Sequence, residues 1–509
     1  MIDRTYSVVV VGGGFSGTML AVNLLRRAPG LSVAVVEKGP LPGRGVAYST
    51  KYDCHLLNVC AGKMSALPEE PDHFLRWARA NYEQSVQPTS FLPRPLYGQY
   101  VTSLLEETTG RGATGSGATG ASGAENFRWI QGEVTSFARD RSHVTIQLKD
   151  GSTLVTKAVV LAVGNFPPAD LKIPGLSQKS LSQESSSPES GRYFPSPWSA
   201  ATFDNVAKNG SVLLIGSGLT SVDVAVALQS EGFAGHIHIL SRRGLMPRIH
   251  RATRRWPQFW NGQSPRTIRG LLRLVRAQVR AAAEVDGDWR DVIDALRPVT
   301  QKIWQSLPLA ERKRFLRHVR PYWEVHRHRI APEIGNTITQ LVGSGQATVL
   351  AGRVTAYREF RNHVEVAWRD RDTQAQQLLR VDRVINCTGP ETDCRHIDDP
   401  LIKSLLAQAL ARPDQLFLGL DVDSNGALLD FAGTPSTSLY AIGPIRKGSL
   451  WESIAVPELR VQASQLAEHL VHTLPIHARN TNRATTETAG RDRATVATIA
   501  EVTDKEPVA

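Results

Sequence analysis

The chain has 509 residues, of which 41% are hydrophobic and 21% charged, a composition typical of a folded globular protein with a substantial core. No stretch approaches eighteen consecutive apolar residues, which argues against a membrane-spanning helix, and no basic segment followed by an apolar one precedes the first strand, which argues against a signal peptide. The four cysteines are too few to crosslink a chain of this length, so we expect a reduced, cytoplasmic protein with no membrane partner.

Positive charge is concentrated in one part of the chain. The formal net charge is +11, and residues 241–330 contain 21 Lys or Arg against 7 Asp or Glu. The rest of the chain is therefore close to neutral. A uniformly basic surface is typical of nucleic-acid binding, whereas a single basic segment indicates an inserted element with a task of its own. We expect no nucleic-acid partner.

The first predicted unit is a strand, a glycine turn, a helix and a second strand. A strand ending at Val11 is followed by Gly12-x-Gly14-x-x-Gly17, and the second strand ends on Glu37. The first glycine permits a tight turn, the second lets the backbone approach a pyrophosphate, and the third lets the helix pack closely on the strand. An acidic residue at the end of the second strand accepts hydrogen bonds from ribose hydroxyls. This unit predicts a dinucleotide site.

The second predicted unit repeats the design with two changes. Its turn reads Gly216-x-Gly218-x-x-Ser221, and Arg242 and Arg243 follow the second strand in place of an acid. Serine is small enough for close packing, and arginines stabilise an anionic 2′-phosphate, so the second nucleotide is predicted to be NADPH rather than NADH. The residues predicted to bind it are Gly216, Ser217, Gly218, Leu219, Thr220, Ser221, Arg242 and Arg243.

The two units predict an α/β fold with two Rossmann-like dinucleotide-binding domains. Each unit is followed by short alternating strands and a strand ending in glycine, which indicates β-meander crossovers, while residues 110–124 predict a flexible loop. The acidic Glu37 after the second strand of the first unit suits FAD in the first domain, and the two arginines at the same place in the second unit suit NADPH in the second domain. The expected limits are 1–170 for the first part of the FAD-binding domain, 205–260 and 331–382 for the NADPH-binding domain, 261–330 for an arginine-rich helical insertion on the substrate side, 383–477 for the C-terminal part of the FAD-binding domain and 478–509 for a disordered tail.

Other classes of site fit less well. Cys54 and Cys60 are separated by five residues in a segment that does not resemble the start of a helix, which argues against the redox dithiol of the disulfide reductases. His326 and His328 alternate with arginines, so they would share one face of a strand. Arginines between the histidines disfavour a metal, and we predict no metal site; contact with a ligand or flavin is the alternative.

At this point the sequence resembles the flavin-dependent N-hydroxylating and class B monooxygenases, and among them the bacterial FAD-NAD(P)-binding group that includes nitrosuccinate-forming L-aspartate N-monooxygenases. The resemblance covers about residues 5–470. It lies in these motifs: Gly43-Arg-Gly-Val-Ala-Tyr48, His55-Leu-Leu-Asn58, Pro71-x-x-Phe74-x-x-Trp77, Phe91-Leu-Pro-Arg-Pro-Leu-Tyr97, Trp323-x-x-x-Arg327-His-Arg329-x-Ala-Pro332, Tyr440-Ala-Ile-Gly443-Pro444 and Trp451-Glu452.

The resemblance implies a set of cofactor contacts. A helix beginning near Pro457 would direct its positive end at the flavin pyrimidine edge. Gly443-Pro444 stands where related flavoproteins have Gly-Asp, and proline cannot replace the aspartate, so that contact must come from the backbone or from another residue. The residues implied for FAD are Gly12, Gly14, Phe15, Ser16, Gly17, Glu37, Lys38, Arg44, Asn58, Val134, Gly164, Gly443 and Pro444.

The activity implied is that of an FAD- and NADPH-dependent monooxygenase. The reduced flavin would activate O₂ as a C4a-(hydro)peroxyflavin in a pocket shielded from water and oxygenate a neutral amine, so that no side chain acts as a catalytic nucleophile. A small carboxylated amine is expected, with L-aspartate converted to nitrosuccinate as the example, and Arg327, Arg329 and Arg446 are the candidates for binding its carboxylates.

Two other functions stay open on the sequence. One is a flavin oxidoreductase that passes electrons from NADPH to a quinone or a protein. The other is a flavin-containing binding module whose basic insertion docks on an acidic carrier or on nucleic acid. Neither the identity of the amine nor the oligomeric state follows from the residues, and a homo-oligomer is compatible with them.

Overall fold

The computed structural model describes residues 5–110, 126–140, 142–176 and 191–474. The predicted loop over 110–124 lies outside the described residues except for Gly110, which ends a helix with a φ of +64°. The tail predicted over 478–509 lies outside them entirely. None of the described helices is long and apolar enough to cross a membrane.

Strands from distant parts of the chain form two sheets. In chain order the strands are β1 (Thr5–Val11), β2 (Val33–Glu37), β3 (Phe127–Gln131), β4 (Val134–Arg139), β5 (Val144–Leu148), β6 (Thr153–Leu161), β7 (Tyr193–Phe194), β8 (Ser211–Ile215), β9 (His236–Ser241), β10 (Ala347–Glu359), β11 (Val364–Asp370), β12 (Gln376–Val381), β13 (Arg383–Asn386), β14 (Ala427–Leu429) and β15 (Pro435–Ala441).

Helices cover both sheets and fill the long connection between β9 and β10. In chain order they are α1 (Phe15–Arg27), α2 (Gly45–Tyr48), α3 (His73–Asn81), α4 (Arg94–Thr109), α5 (Leu219–Ser230), α6 (Ile268–Glu284), α7 (Trp289–Leu296), α8 (Thr300–Ser306), α9 (Leu309–His318), α10 (Arg320–Arg327), α11 (Pro332–Gly343), α12 (Pro400–Ala407), α13 (Lys447–Leu450) and α14 (Val456–Thr473).

The first sheet has a parallel centre built around β1. Its order is β3-β2-β1-β6-β15-β14, in which only β14 is antiparallel to its neighbour. An antiparallel meander, β4-β5-β6, packs on one side of it. The strands β1, β2 and β6 are almost entirely buried on both faces because α1, α4 and α14 cover one face and the meander with α12 covers the other. The carboxyl ends of β1, β2 and β15 therefore meet at one edge.

The second sheet repeats this plan. Its order is β12-β11-β10-β9-β8-β13-β7, parallel from β7 to β10 and antiparallel from β10 to β12. The predicted fold class is confirmed, including the meander in each half. One boundary differs from expectation: β13 is paired with β8 in the second sheet, so the chain returns to the first domain after Asn386 and not at residue 383. Pairing over a long sequence distance decides which sheet a short apolar strand joins.

The helical insertion, defined as residues 261–330, contains α6 to α10. Its last residue is tied to the chain that precedes it, since Ile330 pairs with Ile249 and the His250 N–H donates to the Ile330 carbonyl at 2.9 Å. Its small core packs against Trp451 of the first domain, and the Trp304 indole N–H donates to the carbonyl of Gly448 at 2.8 Å. The insertion therefore belongs to the second domain by connection and touches the first by packing.

The segment around His326 is not the predicted strand. His326 and Arg327 are the last residues of α10, and His328 lies directly after it. The prediction of alternating faces is wrong because Pro321 at the helix start and the four-residue spacing of Val319 and Trp323 favour helix over this interval.

Candidate active site

The first glycine turn joins β1 to α1 and leaves the start of the helix uncapped. A Cβ atom at Gly12, whose φ is +107°, would lie 2.3 Å from the carbonyl oxygen of Ala162, and one at Gly17 would lie 1.9 Å from the carbonyl oxygen of Gly12. Only glycine fits at either position. Gly14 precedes the helix, and no side chain caps the N–H groups of its first turn. Those N–H groups are available to a pyrophosphate.

Glu37 lies at the end of β2 beside this turn, as predicted. Its carboxylate accepts hydrogen bonds from the backbone N–H groups of Gly13 and, at 2.9 Å, of Gly39. The ring of Trp129 covers Gly13 so closely that a Cβ there would lie 2.1 Å from it. Glu37 thus braces the turn in addition to the ribose contact expected of it.

Two of the predicted FAD residues have side chains that are already in contact with protein. The ring of Phe15 lies in the core with its centroid 6.1 Å from that of Tyr97, which leaves its backbone N–H for a nucleotide. The ammonium of Lys38 pairs with Glu133 at 3.1 Å and with Asp399 at 3.3 Å on the surface. The proposed FAD contact of Lys38 stays a prediction.

Ser16 and Gly443 meet where the first turn faces the end of β15. A Cβ at Gly443, whose φ is +86°, would lie 3.0 Å from the Ser16 hydroxyl. The Gly443 N–H donates to the side-chain carbonyl of Gln462 at 3.2 Å, while the Gln462 amide nitrogen is buried and has no partner. Pro444 begins a short 3-10 turn. Gln462, which no motif marks, is a donor next to Gly443-Pro444, where the resemblance implies an aspartate in other flavoproteins.

The remaining predicted FAD residues lie at the edges of this region. Arg44 precedes α2, and its Nε is buried without a partner. The carbonyl of Asn58 accepts a hydrogen bond from His250 at 3.0 Å. Val134 is a core residue of β4, and Gly164 has open space around it and a φ of +69°. Val134 can offer a cofactor only its backbone.

The second turn has the geometry of the first. A Cβ at Gly216, with φ of +117°, would lie 2.3 Å from the carbonyl oxygen of Cys387, whereas Gly218 faces open space. Ser221 occupies the position of the third glycine, is fully buried, and donates its hydroxyl to the Gly218 carbonyl at 2.8 Å. The serine is accommodated because its hydroxyl is hydrogen-bonded within the turn.

The residues between these positions complete the second site. Leu219 and Thr220 begin α5, whose first turn has no side-chain cap. The Ser217 hydroxyl lies 2.7 Å from that of Ser241 and 2.6 Å from the carbonyl of Leu245, so it ties the turn to the loop that follows β9. The uncapped N–H groups again suit an anion.

Arg242 and Arg243 belong to a larger basic cluster. Arg243 lies over the ring of Tyr322 at 5.7 Å. Burial, followed by the charges of Arg243, Arg353 and Arg320, lowers the pKa of Arg242 below that of an ordinary arginine. Arg320 comes from the insertion and Arg353 from β10, and motif reasoning missed both because they are distant from the turn in sequence. A cluster of like charges favours a bound anion.

A buried ion pair connects the two domains. Arg94 of α4 makes two hydrogen bonds with the Asp223 carboxylate of α5, at 2.7 and 2.9 Å, and His55 contacts the Asp223 carbonyl at 3.0 Å. Burial lowers the pKa of His55, so its neutral form is favoured. The predicted motifs around His55 and Arg94 thus hold the second glycine-turn helix in place.

The three arginines predicted to bind a substrate carboxylate are buried, and each has a protein partner, although Arg327 Nε, Arg329 Nε and Nη1 and Arg446 Nε have no hydrogen-bond partner. Arg327 contacts Glu452 at 3.2 Å and Glu458 at 3.6 Å. Arg329 pairs with Asp294. Burial by itself would raise the pKa of Glu452, but Arg327, His328 and Arg297 outweigh it and hold that pKa at about 2. These ion pairs connect the insertion to the start of α14.

Arg446 lies apart from the other two. It is 5% exposed, donates to the Ser424 carbonyl at 3.4 Å, and has its pKa lowered to about 10 by burial. The structure therefore does not bring the three arginines together as one carboxylate-binding group, and their substrate role stays a prediction.

A family model described as FAD-NAD(P)-binding matches residues 9–166. The matched segment contains the first glycine turn and Glu37. No curated protein matches the chain.

Solved structures match over almost the whole chain at low sequence identity. The FAD-bound cadaverine monooxygenase of desferrioxamine biosynthesis from Erwinia amylovora is 14% identical over 96% of this chain and 100% of its own, with a TM-score of 0.61. L-lysine 6-monooxygenase from Pseudomonas syringae is 16% identical over 92% and 100%, with a TM-score of 0.60. Ornithine hydroxylase from Pseudomonas aeruginosa is 17% identical over 92% and 100%, with a TM-score of 0.59. The chain shares their two-domain fold.

The described residues fit an FAD at the first site. The glycine turn leaves room for a pyrophosphate beside an uncapped helix, and the unpartnered Arg44 Nε and Gln462 Nε2 are buried donors of the kind that a bound cofactor satisfies. The second turn and the basic cluster fit a phosphorylated nicotinamide nucleotide in the same way.

Proposed function

We propose that the protein is an FAD- and NADPH-dependent monooxygenase that hydroxylates the nitrogen of a small-molecule amine with O₂. The observation that carries the proposal is the pairing of two nucleotide turns of opposite character: Glu37 ends β2 in one, and an arginine cluster follows β9 in the other. The likeness in fold to three amine-hydroxylating flavoproteins supports it.

The protein's residues would divide the work as follows. The first turn and Glu37 would hold FAD, with Gly443 and Gln462 beside it, and the second turn with Arg242 would hold NADPH. A bound flavin would supply hydride acceptance from NADPH and activation of O₂. The uncapped start of α14 favours negative charge on the group bound near it. The insertion packs on the segment before α14 and would keep water from the reacting amine.

A carboxylate on the substrate, as in L-aspartate, stays a prediction. Arg327 and Arg329 already have acidic partners, and Arg446 contacts a backbone carbonyl. We therefore propose amine hydroxylation as the function and do not rest it on a carboxylate in the substrate.

The test is NADPH oxidation by the purified FAD-loaded enzyme against a panel of amines, with hydroxylated product and H₂O₂ measured in parallel. We expect at least one amine to give hydroxylated nitrogen in proportion to the NADPH consumed. Oxidation that ends entirely in H₂O₂, or in reduction of an added quinone, with every amine would contradict the proposal.

A further inference from the structure

An apolar cavity lies inside the insertion, against the first domain. The empty space, with the solvent at its open mouth included, is about 680 Å³. Of the described side chains that line it, only that of Thr300 carries a polar group other than an indole nitrogen, and the walls include Leu271, Val275, Trp304 and Trp323. No charged side chain is among the described lining residues.

The helix α6 leaves an apolar face on this cavity. Only Ile268 and Ala282 of α6 are buried, while Leu271, Leu272 and Val275 are half-buried and line the space. Leucine and valine side chains that share one face and stay partly exposed to water carry an unfavourable hydration free energy. Covering the face with an apolar group removes that contact with water and stabilises it. The surrounding indole rings provide large contact areas for such a group.

A strained turn places Trp451 at the inner wall. Trp451 has φ of +63° and ψ of −65°, and the Glu452 N–H donates to the Leu450 carbonyl at 2.8 Å. This is a γ-turn of the rare kind, and a bulky residue with positive φ costs about 1–3 kcal/mol. Packing maintains it, since the Trp451 ring lies 5.0 Å from both Trp304 and Phe315. Such strain is concentrated at functional sites.

The cavity adjoins the region expected to hold the reacting flavin. Trp451 lines the cavity, and the chain reaches α14 five residues later. Trp323, which lines the cavity, and Arg327, which contacts Glu452, are one turn apart on the same side of α10. The cavity is therefore linked to the start of α14 through residues 451–455 and through α10.

We infer that this cavity binds the apolar body of the substrate, which is an amine carrying an aromatic or branched aliphatic group rather than a dicarboxylate. The assignment rests on the proposed amine hydroxylation. Apolar walls exclude a carboxylate because it would lose its hydration without gaining a hydrogen bond. A phenyl or indole group gains contact with the α6 face and the four indole rings that line the cavity.

The test is calorimetric titration of the oxidised, FAD-loaded enzyme with 2-phenylethylamine and, separately, with L-aspartate. We expect the aromatic amine to bind and L-aspartate not to bind. Val275→Trp fills the cavity and is expected to weaken binding about tenfold or more. Arg276→Trp, the same change at the exposed neighbour on α6, should leave it within about twofold. Leu272→Ala, which cannot overpack the cavity, should weaken it about threefold to tenfold.

The outcomes separate this assignment from the proposed function. Hydroxylation of L-aspartate with no binding of 2-phenylethylamine overturns the assignment and leaves the function standing. Binding of 2-phenylethylamine that Val275→Trp removes, without hydroxylation of any amine, supports the cavity and overturns the function. Equal loss in Val275→Trp and Arg276→Trp overturns the assignment, as does a change in molar mass by light scattering in Val275→Trp without amine binding, which would make the face an interface between copies.

Discussion

At the scale of single residues, the glycines of the first turn have the least freedom to change. A methyl group at Gly17 would overlap the Gly12 carbonyl, so α1 would have to move away from β1. We expect Gly17→Ala to lower the free energy of unfolding by about 1–3 kcal/mol and to reduce bound FAD. Flavin absorbance per protein and thermal unfolding measure both. Gly262→Ala, at a position with no atoms within contact distance, is the control and should change neither.

The choice of nicotinamide nucleotide is also set by single residues. Arg242→Ser removes one positive charge from the cluster that includes Arg320 and Arg353. We expect the KM for NADPH to rise about 10- to 100-fold, since a charged hydrogen bond contributes about 1.5–3 kcal/mol, and the KM for NADH to stay the same. The exposed Arg139 on the first meander supplies the control Arg139→Ser. An equal rise for both nucleotides would show that Arg242 does not bind the 2′-phosphate.

The residues of both turns could be predicted because the turn leaves no room for a side chain at certain positions, and the glycines occur at that spacing. Gly12, Gly17 and Gly216 each stand where a Cβ would meet a backbone carbonyl, and such a position appears in the sequence as glycine. Gln462 and Arg353 could not be predicted, because they reach their sites by packing between elements far apart in the chain. Residue type alone also does not predict that Arg327 pairs with Glu452 and Arg329 with Asp294, and the substrate role of the two arginines stays a prediction.

At the scale of elements, buried ion pairs hold the insertion and the two domains together. Arg327 and Glu452 join α10 to the segment before α14, and Arg94 and Asp223 join α4 to α5. Helices and strands could be predicted from periodicity, whereas these contacts could not, because nothing local marks which arginine meets which acid. Around His326, alternation over four residues is too short a pattern to predict a strand against the local helix signals of Val319, Pro321 and Trp323.

The ion pair between Glu452 and Arg327 makes the free energy of unfolding decrease as the pH falls. Its folded pKa is about 2 against an ordinary 4.5, so its contribution is present above pH 4.5 and is lost as the pH falls toward 2. That contribution is on the order of 3 kcal/mol. Urea unfolding at pH 5 and pH 3 should show a smaller loss of stability in Glu452→Gln than in the natural protein. Glu69→Gln, at an exposed position, is the control. Equal losses in all three proteins would contradict the assignment.

At the scale of the whole molecule, the fold could be predicted because the same sequence pattern occurs twice in the chain. Each half presents a strand, a glycine turn, a helix and a meander, and the structure forms two sheets, each with a parallel centre and an antiparallel meander. What the repeat cannot specify is the insertion between β9 and β10. Its basic composition pointed to small anions, while its interior, lined by Trp304 and Trp323, points to an apolar ligand. The arginines of the insertion determine the charge of its surface, whereas the packing of its helices determines which ligand its interior can hold.

The central claim is that one oxygen atom from O₂ is placed on the nitrogen of an amine at the expense of NADPH. The most direct measurement is mass spectrometry of the product formed by the FAD-loaded enzyme under ¹⁸O₂, with NADPH consumption followed in the same vessel. The account predicts a hydroxylated amine that carries one ¹⁸O atom, formed in proportion to the NADPH oxidised. The absence of a labelled amine product, with one H₂O₂ formed for each NADPH oxidised, would contradict it.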